Sequence, residues 1–343
     1  MSPRRPREDR APSQVDVAKL AGVSTQTVSR VMSGQGNVRA DTARRVLAAV
    51  DELGYRVHAA AASLASGRTR QLGVIVVSTD RYSSAALGVG IQQTAAANGY
   101  TVSTAAVADH ASVDAFLEAF DRLERQGAEG IILGVPIELE SPALRARTER
   151  TPATRSERIS LDQDAALVVD QAAIARLAVE HLLGLGHETV WHVSGDVYWT
   201  ETRQRSEAWE QTLRDHGITP PPVIPADWTP ESGYRAGRTI AAIPDATAVF
   251  VSSDEMAFGL IRALHEAGRS VPEDVSVVSV DDIALAAYAS PALTTVRQPF
   301  EDMGRAAALR LIAQIEGHEA IGEMPSTDPQ LIIRSSTAPP RER

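Results

Sequence analysis

The stretch VDVAKLAGVSTQTVSRVMSG, Val15 to Gly34, decides how this chain is read. Its pattern is that of two short helices joined by a tight turn at Gly22. Gly22 breaks the first helix, and Ser24 offers a hydroxyl to cap a second that runs through Met32. Val17, Leu20, Val23, Val28 and Val31 are spaced to lock the two helices together. Thr25, Gln26, Ser29 and Arg30 are left as a polar outer face of the second helix. This is the helix-turn-helix arrangement, whose second helix enters the major groove of duplex DNA. Glutamine can bond adenine through both ends of its amide, and arginine can bond guanine or phosphate. Ser24 and Thr27 are placed to reach backbone phosphates, helped by the helix N-terminus.

The flanking sequence supports a small head. A third helix is expected from near Asp41, with Val46, Leu47, Val50 and Leu53 at helical spacing and Gly54 as its stop. Residues 1–12 are rich in Pro and Arg and read as a disordered basic tail. The net charge of −10 is unevenly spread: residues 1–70 hold 12 Lys+Arg against 6 Asp+Glu, and the remainder 22 against 38. A basic head on an acidic body confines any contact with a polyanion to the head.

From residue 71 short β-branched runs alternate with helical stretches. LGVIVVS, YTVSTAA, EGIILG, ALVVD, TVWHVS, TAVFVS and VSVVSV read as strands. Helices are expected at 85–98, 113–126, 172–183, 202–216 and 255–267. Such alternation argues for parallel sheets with helices on both faces, here in two similar halves. A cleft between two such sheets is the default ligand site. The polar stretch TPATRSERIS, residues 151–160, stands where a buried strand would be expected and reads equally as an edge strand or a loop.

The expected fold is a small all-α helix-turn-helix headpiece joined by a hinge helix to an α/β body of two doubly wound subdomains. The limits are a basic tail at 1–12, a head at 13–57, and a hinge and linker at 58–70. The N-terminal subdomain takes 71–169 and 298–323, the C-terminal subdomain 170–297 and 324–338, and a tail 339–343. The hinge HAAAASLASGR favours helix but is too short to stay helical alone in water.

These segments resemble the lactose-repressor family of bacterial transcriptional regulators. VAKLAGVSTQTVSRVMSG followed by VRADTARRVLAAVDELGY is similar to that family's headpiece. The likeness continues through GVIVV at 73–77, VEHLLGLGH at 179–187, SSDEMAFGLIRALHEAG at 252–268, VPEDVSVVSVDD at 271–282 and LTTVRQPFEDMG at 293–304. It covers roughly residues 13–338. It implies a homodimer on a pseudo-palindromic operator in double-stranded DNA, a body resembling periplasmic binding proteins, and release of the operator when a small sugar binds. A galactoside is one candidate, and a regulator that depends on a non-sugar metabolite as co-repressor is the alternative. By the same resemblance Leu64 is the hinge leucine that wedges into the minor groove. Val57, His58 and Ala62 depart from the family's usual hinge residues.

A sugar site needs carboxylates or arginine for vicinal hydroxyls and a flat aromatic for the ring. Trp199, Arg205, Trp228, Ser253, Asp254, Asp281, Asp282 and Gln298 stand at or just beyond predicted strand ends. The resemblance assigns ligand contact to Arg205, Ser253, Asp281 and Gln298, and matches Trp228 to an aromatic of the galactoside-responsive branch. Arg203 is the alternative to Arg205, and Trp199 is a candidate stacking platform. Tyr82 and, in the polar stretch, Glu157 align loosely with the opposite wall. Asp254 and Asp282 read equally as helix caps, Trp191 and Trp209 as core, and His187 as a packing residue.

Other classes are disfavoured. There is no cysteine, and the eight histidines lack metal-ligand spacing. G-x-G-x-x-G, P-loop, G-x-S-x-G and H-E-x-x-H motifs do not occur, so neither an enzyme nor a bound cofactor or metal is expected. A stand-alone sugar-binding protein would not need the head. The first residues lack an apolar stretch and no run spans a bilayer, so a soluble cytoplasmic protein is expected.

Overall fold

The computed structural model describes residues 12–32, 38–56, 67–77, 81–108, 112–134, 141–148, 150–155, 169–318 and 328–341. Most of the basic tail, the hinge with Leu64, and Glu157 lie outside the described residues. The chain divides into two compact units, Met1–Thr69 and Arg70–Arg343.

The head contains α1 (Gln14–Ala21), α2 (Thr25–Met32) and α3 (Ala40–Leu53). Their ends follow from local chemistry. The Asp16 carboxylate accepts from the Ser13 N–H at 2.8 Å and holds the start of α1. Gly22 ends α1 with a left-handed φ of 68°. Ser24 Oγ accepts from the Thr27 N–H and caps α2, and Gly54 ends α3 with φ 61°. Val17, Ala18, Ala21, Val28, Val46 and Ala49 form the small core, edged by Val23, Val31 and Val50. Leu20 corrects the expected locking set: it is 46% exposed, as is Leu47 at 50%. Leu20 lies one turn from Val17, but the buried face of α1 is centred on Val17, Ala18 and Ala21, which leaves Leu20 turned outward.

The body has two lobes. In the N-terminal lobe β1 (Gln71–Val77), β2 (Thr101–Val107), β3 (Gly130–Gly134) and β4 (Ala153–Arg155) form a parallel sheet in the order β2-β1-β3-β4. Its helices are α4 (Tyr82–Ala97), α5 (Val113–Arg125) and α6 (Pro142–Thr148). The polar stretch that read as edge strand or loop begins as β4, the sheet's outer strand. A polar sequence suits a strand with one neighbour among the described residues, and residues 156–168, which include most of the expected strand ALVVD, lie outside the described set.

The C-terminal lobe holds α7 (Gln171–Gly184), β5 (Trp191–Val193), α8 (Thr200–Asp215), α9 (Pro230–Ala241), β6 (Ala248–Val251), α10 (Asp254–Glu266), β7 (Ser276–Asp281) and β8 (Thr294–Arg297). The chain then enters α11 (Phe300–Glu316), which packs on α4 of the other lobe, and returns as β9 (Gln330–Ile332). The sheet order is β5-β6-β7-β8-β9, parallel except for β9 on β8. Helix α9 was not anticipated in the sequence reading; its signal is Thr229 capping Ser232 N with Pro230 in the first turn.

Glycines let paired helices touch backbone to backbone. A Cβ on Gly304 of α11 would overlap the Leu87 carbonyl oxygen of α4, and one on Gly259 of α10 would overlap the Pro230 oxygen of α9. The segment after β9 stitches the lobe together. Val277 N–H donates to Ser336 O at 2.8 Å, Ser336 Oγ donates to Val277 O at 2.6 Å, and Arg341 pairs with Asp274 at 2.7 Å. His187 packs here, between Thr247 Oγ1 and Ala338 O, each at 3.0 Å. Trp209 is core, donating its indole N–H to Val190 O, and Trp191 is partly buried against the lobe core.

Candidate functional site

In the head, Ser24, Thr25, Gln26, Ser29 and Arg30 are exposed along α2, and Thr27 is half-buried. Val28, on the opposite side of the helix, is fully buried. Burying Val28 between α1 and α3 therefore sets which side chains face outward. Ser24 Oγ and Thr27 Oγ1 lie 2.9 Å apart at the N-terminus of α2, so both belong to its cap. Gln14 Nε2 donates to Thr25 O at 2.9 Å and ties α1 to the start of α2.

In the body, a cleft of about 580 Å3, open to solvent on one side, lies between the lobes. It collects residues from helix N-termini. Tyr82 opens α4, Gln171 opens α7, Glu201 lies in the first turn of α8, Ser253 caps α10, and Phe300 opens α11. Parallel strands deliver each following helix with its N-terminus toward the same rim, where the dipole and the first N–H groups favour oxygen-rich ligands.

The cleft brings Tyr82, Trp199, Arg205, Trp228, Ser253, Asp281 and Gln298 together. Its deep end is a hydrogen-bonded chain. Arg205, 3% exposed, donates to Gln171 Oε1 at 2.8 Å and to Ser252 O at 2.9 Å. Gln171 Nε2 donates to Gln298 Oε1 at 3.2 Å, and Gln298 Nε2 donates to Asp281 Oδ1 at 2.7 Å. Asp281 has a φ of 114°, a conformation costly for any residue with a side chain. Burial pushes its carboxyl pKa up, while Arg205 and Gln298 pull it down. Arg203 does not line this cleft, whereas Arg205 does.

The aromatic wall runs outward from there. Arg205 Cζ lies 5.8 Å from the Trp228 ring centre, and Trp228 lies 5.4 Å from Trp199 at a tilt of 55°. Trp228 adopts φ 72°, and its ring lies against Gly195, where any Cβ would collide with it. On the other lobe Tyr82 meets Phe300 edge to face at 6.1 Å. Burial and the nearby carboxylates raise the Tyr82 hydroxyl pKa, so it remains a neutral donor.

Ser253 lines the cleft, and its Oγ also accepts the Met256 N–H as the cap of α10. Asp254 and Asp282 cap no helix through their side chains. Asp254 accepts from Ser279 Oγ, from Thr295 Oγ1 at 2.7 Å and from the Ile283 N–H at 2.8 Å, tying together the ends of β7 and β8. Burial, then the neighbouring Asp281, raises it to about 7. Asp282 is clamped between Arg297 and Arg334, each at 2.6 Å.

Arg81, Ser83, Gln171, Glu201, Glu255, Phe300 and Met303 also line the cleft, and the sequence reading missed them. Glu201 is two residues from Trp199 and Glu255 two from Ser253, so their neighbours carried the signal. Among the described residues no group of three or more His, Asp or Glu is placed to hold a metal ion. Nor is any described helix long and apolar enough to cross a membrane.

Known proteins share this architecture. Residues 15–58 match the model for bacterial regulatory proteins of the lacI family, and residues 179–337 match a periplasmic binding protein-like domain. The HTH-type transcriptional regulator MalR of Streptomyces coelicolor is 34% identical over 335 residues, 94% of this chain and 96% of that protein. The lactose operon repressor of Escherichia coli is 30% identical over 311 residues, 90% of this chain and 86% of that one. The crystal structure of the lac repressor dimer bound to operator and the anti-inducer ONPF superposes with a TM-score of 0.85 at 30% identity, covering 96% of this chain and all of that one. A complex of the regulator CelR with cellobiose gives 0.66 at 28% identity over 95% of this chain and 99% of that one. The exposed polar face of α2, the two-lobed cleft and these full-length likenesses agree: the chain belongs to the lacI family of bacterial regulatory proteins.

Proposed function

We propose that the protein is a transcriptional repressor of sugar-utilisation genes, acting as a homodimer on operator DNA in the cytoplasm. A neutral sugar in the body cleft releases it from that DNA. The observation that carries the sugar reading is the chain Arg205–Gln171–Gln298–Asp281 beside the Trp228 ring. It offers a carboxylate and a guanidinium for neighbouring hydroxyls and an apolar face for ring carbons. The cleft lining holds the carboxylates Asp281, Glu201 and Glu255 against the two arginines Arg205 and Arg81, and Arg205 is already bonded to Gln171 and Ser252. That balance disfavours a phosphorylated or otherwise anionic effector. The cleft is a binding site with no chemistry of its own.

On DNA, Thr25, Gln26, Ser29 and Arg30 read base edges or phosphates, and Ser24 and Thr27 hold phosphates at the N-terminus of α2. Leu64 enters the minor groove from the hinge. The head at 13–57, the hinge at 58–70 and the lobes crossing near 298 and 324 are the working parts. A thousandfold loss of operator affinity requires about 4 kcal/mol of difference in sugar affinity between two body conformations.

Fluorescence anisotropy of the full chain on genomic fragments, with and without a panel of neutral sugars and sugar phosphates, tests this reading. A site-specific complex dissociated by a neutral sugar is expected. A complex that responds only to a sugar phosphate would overturn the effector assignment.

A further inference from the structure

Trp199 stands where the lobes meet. It is the N-cap residue of α8 in the C-terminal lobe, yet its ring packs against the N-terminal lobe cluster that contains Ile75, Phe116 and Leu133. From the N-terminal lobe, Arg81, the residue before α4, places its guanidinium carbon 4.5 Å from the Trp199 ring centre. The contact is a cation–π stack across the cleft mouth.

The resulting row is Arg205, Trp228, Trp199 and Arg81, with steps of 5.8, 5.4 and 4.5 Å. Its inner end carries Asp281 and Gln298, enough to hold the hydroxyls of one sugar ring beside Trp228. A single ring seated there leaves the outer aromatic face unused. Trp228 Nε1 is buried and has no hydrogen-bond partner among the described residues, so a donor stands between the inner and outer halves of the wall.

We propose that the effector is a glycoside of at least two rings, with Trp199 the specificity-determining platform for the outer ring. That ring competes with the Arg81 guanidinium for the indole face. The inference rests on the reading of the cleft as a sugar site, and it adds which sugars the site prefers. It also makes Arg81 and Trp199 a contact between lobes that only a long enough ligand replaces.

The test is calorimetric titration of the full chain with galactose and glucose and with the disaccharides lactose, cellobiose and maltose. At least one disaccharide is expected to bind tenfold or more tighter than its own monosaccharide. Trp199→Ala should bring that ratio to within twofold of unity by weakening the disaccharide far more than the monosaccharide, and Trp199→Phe should restore most of it. Arg81→Gln, which keeps the indole wall intact, should tighten the disaccharide severalfold and leave the monosaccharide alone. Equal effects of Trp199→Ala on both sugars, or no differential effect of Arg81→Gln, would overturn the proposal. A monosaccharide that binds as tightly as every disaccharide would defeat this inference while leaving the sugar reading standing. If no sugar in the panel binds, both fall.

Discussion

Gln298 donates to Asp281 over 2.7 Å, and this bond ties the point where the chain leaves the C-terminal lobe to the carboxylate at the floor of the cleft. Gln298 lies between β8 and α11, and α11 packs on α4 of the other lobe. On the proposed function, a sugar that bonds Asp281 would act on a residue next to an interlobe crossing.

Asp281→Asn keeps the shape and removes one acceptor and the charge facing Arg205. A hydrogen bond to a charged group contributes about 1.5–3 kcal/mol, so sugar affinity should fall roughly ten- to hundredfold. Operator affinity without sugar should stay within about twofold. Calorimetry for the sugar and anisotropy for DNA check the two halves separately.

Gly259→Ala should destabilise the body although alanine is the better helix former by about 1 kcal/mol. The added Cβ meets the Pro230 carbonyl oxygen, so α9 and α10 must move apart. Overpacking of this kind costs about 1–3 kcal/mol, read as a lowered Tm. A raised Tm would show that the two helices can separate freely.

Asp254 and His192 pull stability in opposite directions with pH. Asp254 is raised from 3.8 to about 7, so its contribution is complete below 3.8 and is lost as pH rises through about 7. Burial lowers His192 from 6.5 to about 4, so its contribution is complete above 6.5 and is lost as pH falls through about 4. Each slope is at most about 1.4 kcal/mol per pH unit, and between about pH 4 and 6.5 they oppose. Relative to wild type, Asp254→Asn should gain stability with rising pH across that window, and His192→Gln should lose it. Asp254→Asn can keep an oxygen toward the Ile283 N–H but replaces the acceptor facing the Ser279 and Thr295 hydroxyls with an NH2, a constant offset that leaves the slope unchanged. Urea unfolding at several pH values gives the comparison; parallel curves for all three proteins would contradict it.

Gln26→Ala should relax base preference at one operator position by about 1–3 kcal/mol. Its salt dependence should match wild type, because glutamine neutralises no phosphate. Arg30→Ala, by contrast, should weaken binding and lower the salt slope if Arg30 meets phosphate. A randomised-operator selection with anisotropy at several salt concentrations reads both.

Much of this fold was legible because its punctuation is chemical. Gly22, Ser24 and Gly54 mark helix ends that the backbone obeys. The β-branched runs became buried strands such as β1 and β3. Leu20 misled because periodicity marks an apolar face but does not say whether a leucine or its small neighbours meet the next helix. Helix α9 was hidden by its polar sequence, buried chiefly through Gly233, Ala236, Gly237 and Ile240. At the cleft, charged and aromatic residues just past strands were readable. Gln171, Glu201 and Glu255 were not, because a polar residue in a first helical turn looks the same whether it faces solvent or a ligand.

The stitching of residues 334–341 onto β7 and β8 has a consequence during synthesis. The strands β5 to β8 are translated before β9, Ser336 and Ala338, which complete their edge and exchange hydrogen bonds with β7. A nascent chain can form its head early, since that core uses residues 17–55 alone. The C-terminal lobe must wait, with an open edge at β8, until the ribosome has released residue 338.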